Sequence, residues 1–299
     1  MICMENMEHF EKAGQITWKA LTAGKEMIRP GVRLLDVAER VEAIIVQEGA
    51  LPAFPTNISI GADAAHDTPK FGDERVFGEK DLVKLDVGAH VDGHIGDAAV
   101  TVDLSGEQGK LVEASAAALE AAVATIRPGM RAVEIGGIVE EEIKKRGFRP
   151  IENLTGHQIA QYELHAGMEI PNVRRGGQEV FEEGQVYAIE PFATAGAGSV
   201  AEGTYVEIFG FDEKRAVRMR EARRMMMLAE QRYHSLPFAE RWLRKEFDSR
   251  LLFEAALREL VLSGAFRQYP VLTEIKKGLV SQAEYTVVVE KDGARVLTK

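Results

Sequence analysis

A chain of 299 residues carries 37 Lys and Arg against 47 Asp and Glu, a net charge of −10 that argues against a nucleic-acid duplex, and DNA in particular, as its main ligand. It is long enough to bury a full core as one large domain or as one domain with an insertion; no stretch approaches the roughly 18–20 apolar residues of a membrane span, and the first twenty residues lack the apolar region of a secretion signal, so residence in the cytoplasm is expected. The single cysteine, Cys3, has no internal disulfide partner and no CxxC pattern, so cysteine chemistry is excluded.

In chain order, apolar residues recur with helical spacing over about 10–24 and 34–49, and runs of β-branched residues then predict strands at 81–89 and 95–104. Helical spacing returns over 107–126 and 132–146, followed by strand-like runs at 184–192 and 203–211. Next comes a basic segment. From Lys214 to Arg267 there are 13 Lys and Arg against 7 Asp and Glu, which makes this segment +6 and the remainder −16. It reads as three helices, at 214–234, 238–247 and 250–264, set in front of a final strand at 283–290.

The chain repeats itself. "IRPGVRLLDVAERVEAIIVQEG" from Ile28 is nearly rewritten as "IRPGMRAVEIGGIVEEEIKKRG" from Ile126, and each Pro-Gly turn precedes a predicted helix. "VFGEKDLVKLD" from Val76 matches "VFEEGQVYAIE" from Val180, so that Asp86 and Glu190 close equivalent segments. A weaker pair is "DAAVTV" from Asp97 and "EYTVVV" from Glu284, each an acid at the head of a β-branched run. Two related halves, near 28–103 and 126–210, are therefore expected.

Strand alternation puts Lys84, Asp86 and Gly88 on one face and Val83, Leu85 and Val87 on the other. Taken singly, each of Asp86, Asp97, Glu190 and Glu284 reads as an exposed strand acid or an ion-pair partner. Four converging between two related halves would repel without cations, and that points to a metal site. Histidine is the remaining ligand type, from His157 or His165 in "NLTGHQIAQYELHAG" and from His66 in the first half. His90 and His94 sit four apart in the glycine-rich "GAHVDGHIGD" and read as hairpin-turn residues, leaving open that one lines a cleft. "TAGAGS" lacks the Lys-Ser/Thr ending of a phosphate loop, and "RMMML" reads as core packing.

"KLDVGAHVDGHIGDAAVTV", "LTGHQIAQYELHAG", "YAIEPF" and "SQAEYTVVV" together resemble the motifs of the pita-bread metallopeptidases, and among them the type II methionine aminopeptidases, over nearly the whole chain. The resemblance implies an α/β fold of the α+β type, with two pseudo-twofold halves, a curved antiparallel sheet flanked by helices, and a dinuclear site between them. It implies Asp86, Asp97, His157, Glu190 and Glu284 as ligands of two divalent ions, Co, Fe, Mn or Zn. A hydroxide bridging the ions would attack the first peptide bond, Glu190 would shuttle the proton, His165 would contact the carbonyl oxygen, and His66 would lie near the scissile nitrogen. In type II relatives the histidine matching His66 captures the epoxide of fumagillin-class inhibitors. Phe54, Phe192 and Tyr269 are candidate walls of the methionine pocket, or plain core aromatics. The basic segment resembles the type II insertion, which divides the chain into a catalytic domain of 1–210 with 268–299 and an inserted helical subdomain of 211–267. The short N-terminal region resembles the compact archaeal subclass. The implied substrates are nascent polypeptide N-termini whose second residue is small, and the insert is a candidate ribosome contact. An Xaa-Pro peptidase of the prolidase kind, or a non-catalytic RNA- or protein-binding relative, are the alternatives.

Overall fold

A computed structural model describes residues 4–299, and Cys3 lies outside the described residues. Helix α1 (Met4–Met27) is longer than its apolar spacing predicted; it packs on the strands Leu82–Val91 and His94–Asp103, and α2 (Leu34–Gln47) packs beside it and shares their core. The reason is the pattern itself. Leu34, Val37, Ala38, Val41 and Ile45 form the buried stripe of α2, and Val83, Leu85, Val87 and Ala89 are the strand residues that meet it. The second half repeats the arrangement with α3 (Gly109–Thr125) and α4 (Ala132–Lys145). Their Leu111, Ala118, Ile135 and Val139 share a core with Tyr187, Ile189, Val287 and Val289 of the strands Val186–Ile189 and Tyr285–Glu290.

The written repeat is also a hydrogen-bonded one. Gly31 N–H donates to Phe77 O and Gly129 N–H to Phe181 O, each at 2.8 Å; Phe77 N–H returns to Val32 O and Phe181 N–H to Met130 O, at 3.0 and 2.9 Å. Both glycines have φ of 82°, a left-handed conformation that a side chain disfavours, which explains why the Pro-Gly turn is kept in both copies. The turns pin the "VF" segments, so the strands that follow leave each turn in the same way.

The strand Leu82–Val91 pairs with His94–Asp103 along its whole length and with Asn57–Ile60 on its other edge. In the second half the strand order is Gly293–Val296, Tyr285–Glu290, Val186–Ile189, Thr155–Ile159, Glu169–Pro171. The halves meet where Ala99 and Glu284 exchange backbone hydrogen bonds, at 3.4 and 3.0 Å. Two threonines extend the seam. Thr286 Oγ1 accepts from Asp97 N–H at 2.7 Å and donates to Asp97 O at 2.8 Å, and Thr101 Oγ1 does the same with Gln282 at 2.8 and 2.7 Å.

The basic segment holds α5 (Arg220–Tyr233), α6 (Glu240–Arg244) and α7 (Arg250–Ser263), but helices are not its whole content. The strands Phe238–Ala239, Ile208–Phe211 and Phe266–Tyr269 form a small antiparallel sheet that crosses the boundaries expected near 210 and 268. Phe209, Phe238 and Phe266 point from it into the same core as Met225, Ala229 and Phe253 of the helices. The first helix begins at Arg220 rather than 214, because the N–H groups of Arg218 and Met219 donate to the Glu259 carboxylate on α7 at 2.6 and 3.0 Å. The strand expected over 203–211 is limited to Ile208–Phe211; before it, Gly203 and Tyr205 are tied to Val271 by single backbone bonds of 2.7 and 3.0 Å.

One buried ion pair docks this segment on the first half. Arg241, only 1% exposed, contacts the Glu42 carboxylate of α2 and donates to Thr68 Oγ1 at 2.8 Å and Pro69 O at 3.1 Å, while Trp242 Nε1 donates to Glu42 at 2.9 Å. Removing one partner strands the other charge in the interior. Arg241→Met is therefore expected to lower the unfolding free energy by about 3 kcal/mol or more, with a partial return when Glu42→Leu is added. Urea unfolding of the single and double variants measures this, and a single variant as stable as the parent would show that the pair does not hold the segment.

Candidate active site

The seam places the sequence-predicted residues around one cleft of about 270 Å³. Asp86, Asp97, His157, Glu190, Glu284, His66, His165, Phe54, Phe192 and Tyr269 all line it. Register explains the convergence. Asp86 lies opposite Ala99, the residue that bridges to Glu284, and Asp97 lies two residues from Ala99 on the same face. In the second half Tyr285 pairs with Ile189, which sets Glu284 beside Glu190, and His157 pairs with Ala188, two residues before Glu190. Each half thus contributes acids to a common face, and the second adds an imidazole.

His157 Nε2 lies 3.7 Å from Asp97 Oδ2 and 3.5 Å from Glu190 Oε1. One ligand atom each from Asp97, His157 and Glu284 fall within 4.8 Å of one another, and these three residues are buried. Among the described residues His157 is the only basic group at ion-pair distance from the four acids. Lys84, two residues before Asp86, does not help. Its Nζ donates to Gly61 O and Val280 O, both at 3.1 Å.

The electrostatics follow from burial without compensation. Desolvation pushes the Asp86 carboxyl up to about 7, although a hydrogen bond from Gln282 opposes it. Asp97, Glu190 and Glu284 are raised well above the carboxylate range, first by desolvation and then by their mutual repulsion. His157 is driven down to about 3, also by desolvation, and so presents a neutral imidazole. Buried Oδ1 atoms of Asp86 and Asp97 have no hydrogen-bond partner among the described residues. Four acids, one neutral imidazole and unsatisfied oxygens are a donor set that fits hard or borderline divalent cations.

The remaining side chains shape the space. His165 stacks edge-on to His157 with ring centres 4.3 Å apart, and His66 meets Tyr269 edge-on at 5.8 Å. His66 has φ of 66°, and its Nδ1 lies 3.2 Å from Pro270 O. A carbonyl only accepts, so Nδ1 carries the proton; burial lowers this pKa, and the neutral ring is left with a free lone pair on Nε2. Phe54 is fitted over Gly88, where a Cβ would come within 2.2 Å of its ring.

The sequence reading missed several wall residues. Asn153 and Thr155 stood inside a recognised motif. Asn57 is placed by its pairing opposite Asp86, Ile208 lies on the strand that leads into the inserted segment, and Pro237 comes from that segment, so nothing local to any of the three signals the cleft. Gln282 was also passed over; its Nε2 donates to Asp86 Oδ2 at 3.1 Å and to Glu284 Oε2 at 3.3 Å. His90 and His94 do not line the cleft. His94 follows the two-residue turn Asp92-Gly93, whose φ values of 48° and 81° make a tight hairpin, and His90 lies two residues before it, paired with Ile95.

Similarity to known proteins extends over the whole chain. The methionine aminopeptidase of Archaeoglobus fulgidus is 49% identical over 295 residues, covering 99% of both chains. The structure of a thermophilic Arx1 superposes with a TM-score of 0.86 at 19% identity, over 99% of this chain and 91% of that one, which speaks to the fold alone. The structure of the Thermotoga maritima methionine aminopeptidase gives a TM-score of 0.74 at 25% identity over 100% and 98% of the two chains. The model of metallopeptidase family M24 matches residues 8–223, and with near-complete coverage of a relative at 49% identity the chain belongs to metallopeptidase family M24.

Proposed function

We propose that the protein removes the N-terminal methionine from peptides and proteins whose second residue is small. The observation that carries this reading is the cluster within the cleft: Asp86, Asp97, Glu190, Glu284 and the neutral imidazole of His157, drawn from both halves, beside a wall of Phe54, Phe192 and Tyr269. Relatives that are alike over their whole length carry the name methionine aminopeptidase.

Asp86, Asp97, His157, Glu190 and Glu284 are the residues that would hold divalent cations. Such ions, when bound, supply Lewis-acid polarisation of a carbonyl and a lowered pKa for water. The chain's own groups do the rest. Glu190, at the edge of the cluster, accepts the proton of the attacking water and returns it to the departing amine. His165 lies at the mouth and donates to the carbonyl oxygen as charge develops there. His66, with its proton held on Nδ1 by Pro270, offers Nε2 as an acceptor to the scissile N–H and orients the peptide. Phe54, Phe192 and Tyr269 surround an uncharged space suited to a flexible, polarizable thioether side chain.

The direct assay compares Met-Ala-Ser with an Ala-Pro peptide on protein supplied with Co, Mn, Fe or Zn. Release of methionine with Ala-Pro left intact is expected; comparable turnover of Ala-Pro would assign the cleft to the prolidase side. Asp97→Asn removes one charge but keeps the shape, so bound metal should fall below the parent stoichiometry on elemental analysis, and the rate should fall on the order of 100-fold. Parent-level metal content in that variant would remove Asp97 from the ligand set. The free Nε2 of His66 also makes it a nucleophile. A fumagillin-class epoxide should add once, at His66 in the peptide containing "GADAAHDTPK", and His66→Ala should abolish the adduct on intact-mass spectra. Modification at His165 instead would exchange the roles given to the two histidines.

A further inference from the structure

Of the seven histidines, three line the cleft, and His90 belongs to a second cavity of about 400 Å³ where α5 and α6 meet the first half. Tyr162, Tyr233, His234 and Trp242 present rings to this space, and Pro52 and Leu236 help to close it. Ring centres are 5.7 Å apart for His90 and Tyr162, 4.5 Å for Tyr162 and His234, and 5.6 Å for Tyr233 and Trp242. The volume is within the range of about 300–1,000 Å³ usual for small-molecule pockets.

Two of the polar groups around it are already committed. Arg232 at the rim pairs with Glu246 at 2.8 Å, and Trp242 Nε1 is held by Glu42. Among the described residues no carboxylate lines the cavity, so it offers no counter-ion to a charged ligand. His90 is only 6% exposed, and its Nδ1 accepts from Gly93 N–H at 3.0 Å. Burial and the neighbouring His234 hold the ring neutral, with a pKa down at about 4. The proton of the neutral ring therefore sits on Nε2, a donor that no acceptor among the described residues takes up.

Backbone strain gathers at the same place. Of five non-glycine residues with positive φ among the described residues, Tyr162 at 58° and His234 at 54° line the cavity, and Asp92 at 48° turns the hairpin beside it. Such conformations cost about 1–3 kcal/mol each and concentrate at ligand clamps. Gln161 Nε2 donates to Asp92 O at 2.9 Å, and Ser235 Oγ donates to Tyr162 O, so the strained segments are tied together.

We propose that this cavity is a second ligand site, one that takes a neutral planar aromatic molecule of one or two rings bearing a hydrogen-bond acceptor, with the acceptor on His90 Nε2. The walls supply π faces for the ring. The donor on His90 supplies orientation. Leu236 lines this space while its neighbour Pro237 lines the catalytic cleft, so the two cavities stand back to back and a test must tell them apart.

Quinolin-4-one, neutral and carbonyl-bearing, is the probe, titrated into the whole chain carrying ¹³C-methyl leucine and followed by NMR. Leu51 and Leu236 of this cavity should shift saturably, whereas Leu154 and Leu272 of the cleft should not. Gln231 is exposed on α5 at the rim, so Gln231→Trp should fold normally and abolish the shifts by filling the mouth. His90→Phe keeps the ring but removes the donor and should weaken binding about tenfold. Absence of saturable shifts at Leu51 and Leu236 into the millimolar range would overturn the proposal. So would shifts at Leu154 and Leu272 that survive Gln231→Trp, or undiminished affinity in His90→Phe.

Discussion

Four carboxylates, Asp86, Asp97, Glu190 and Glu284, gather in one cleft with no lysine or arginine at ion-pair distance among the described residues, and much of the molecule is arranged around that excess of negative charge. Asp86 and Asp97 come from one half, and Glu190, Glu284 and His157 from the other. Neither half alone brings the set together. The seam does so through backbone bonds at Ala99 and Glu284 and through the hydroxyls of Thr101 and Thr286, which stand where ladder hydrogen bonds would otherwise be. Those hydroxyls hold Asp97 and Gln282 by their main chains and leave the side chains to face the cleft. A cluster raised this far by desolvation is unfavourable unless cations enter, and family membership is consistent with their doing so.

The neutral histidines follow from the same physics. Burial that raises a carboxyl lowers an imidazole, so His157 and His165 fall to about 3 and about 4 while the acids rise. A neutral imidazole retains a lone pair, which a metal ligand needs. At His66 the carbonyl of Pro270 decides which nitrogen keeps it. A contact on one side of the ring thus sets the chemistry of the other nitrogen.

The inserted segment belongs to the site more closely than its charge suggests. A run that is +6 within a chain of −10 looks like an appendage, yet it supplies Pro237 to the cleft, and Ile208 and Tyr269, on the strands at its two boundaries, complete the wall with His66. Its docking rests on Arg241 and Glu42, a buried pair in which desolvation raises the Glu42 carboxyl even against its partner. Such a pair adds little net stability compared with apolar packing, but its loss is costly, so it fixes where the segment sits.

Strand alternation alone placed Asp86 opposite the core face of Val83, Leu85 and Val87, and the copied "IRPG" and "VF" segments paired it with Glu190; both are consequences of a period of two and of spacing along the chain. The helices of the two halves were legible for the same reason, since their apolar stripes recur at helical intervals. The small sheet of the insert was not, because Phe238–Ala239 is too short to show a period and is a strand only through its pairing with Ile208–Phe211. The His66 tautomer, the turning away of Lys84 and the contributions of Asn57, Ile208 and Gln282 were likewise beyond the sequence. Each depends on a group remote in the chain: Pro270 lies 204 residues from His66, and Val280 lies 196 from Lys84. Local sequence determined which residues could carry charge toward a cleft, and tertiary structure decided what each would face, because hydrogen-bond direction and desolvation are set by neighbours that only folding brings near.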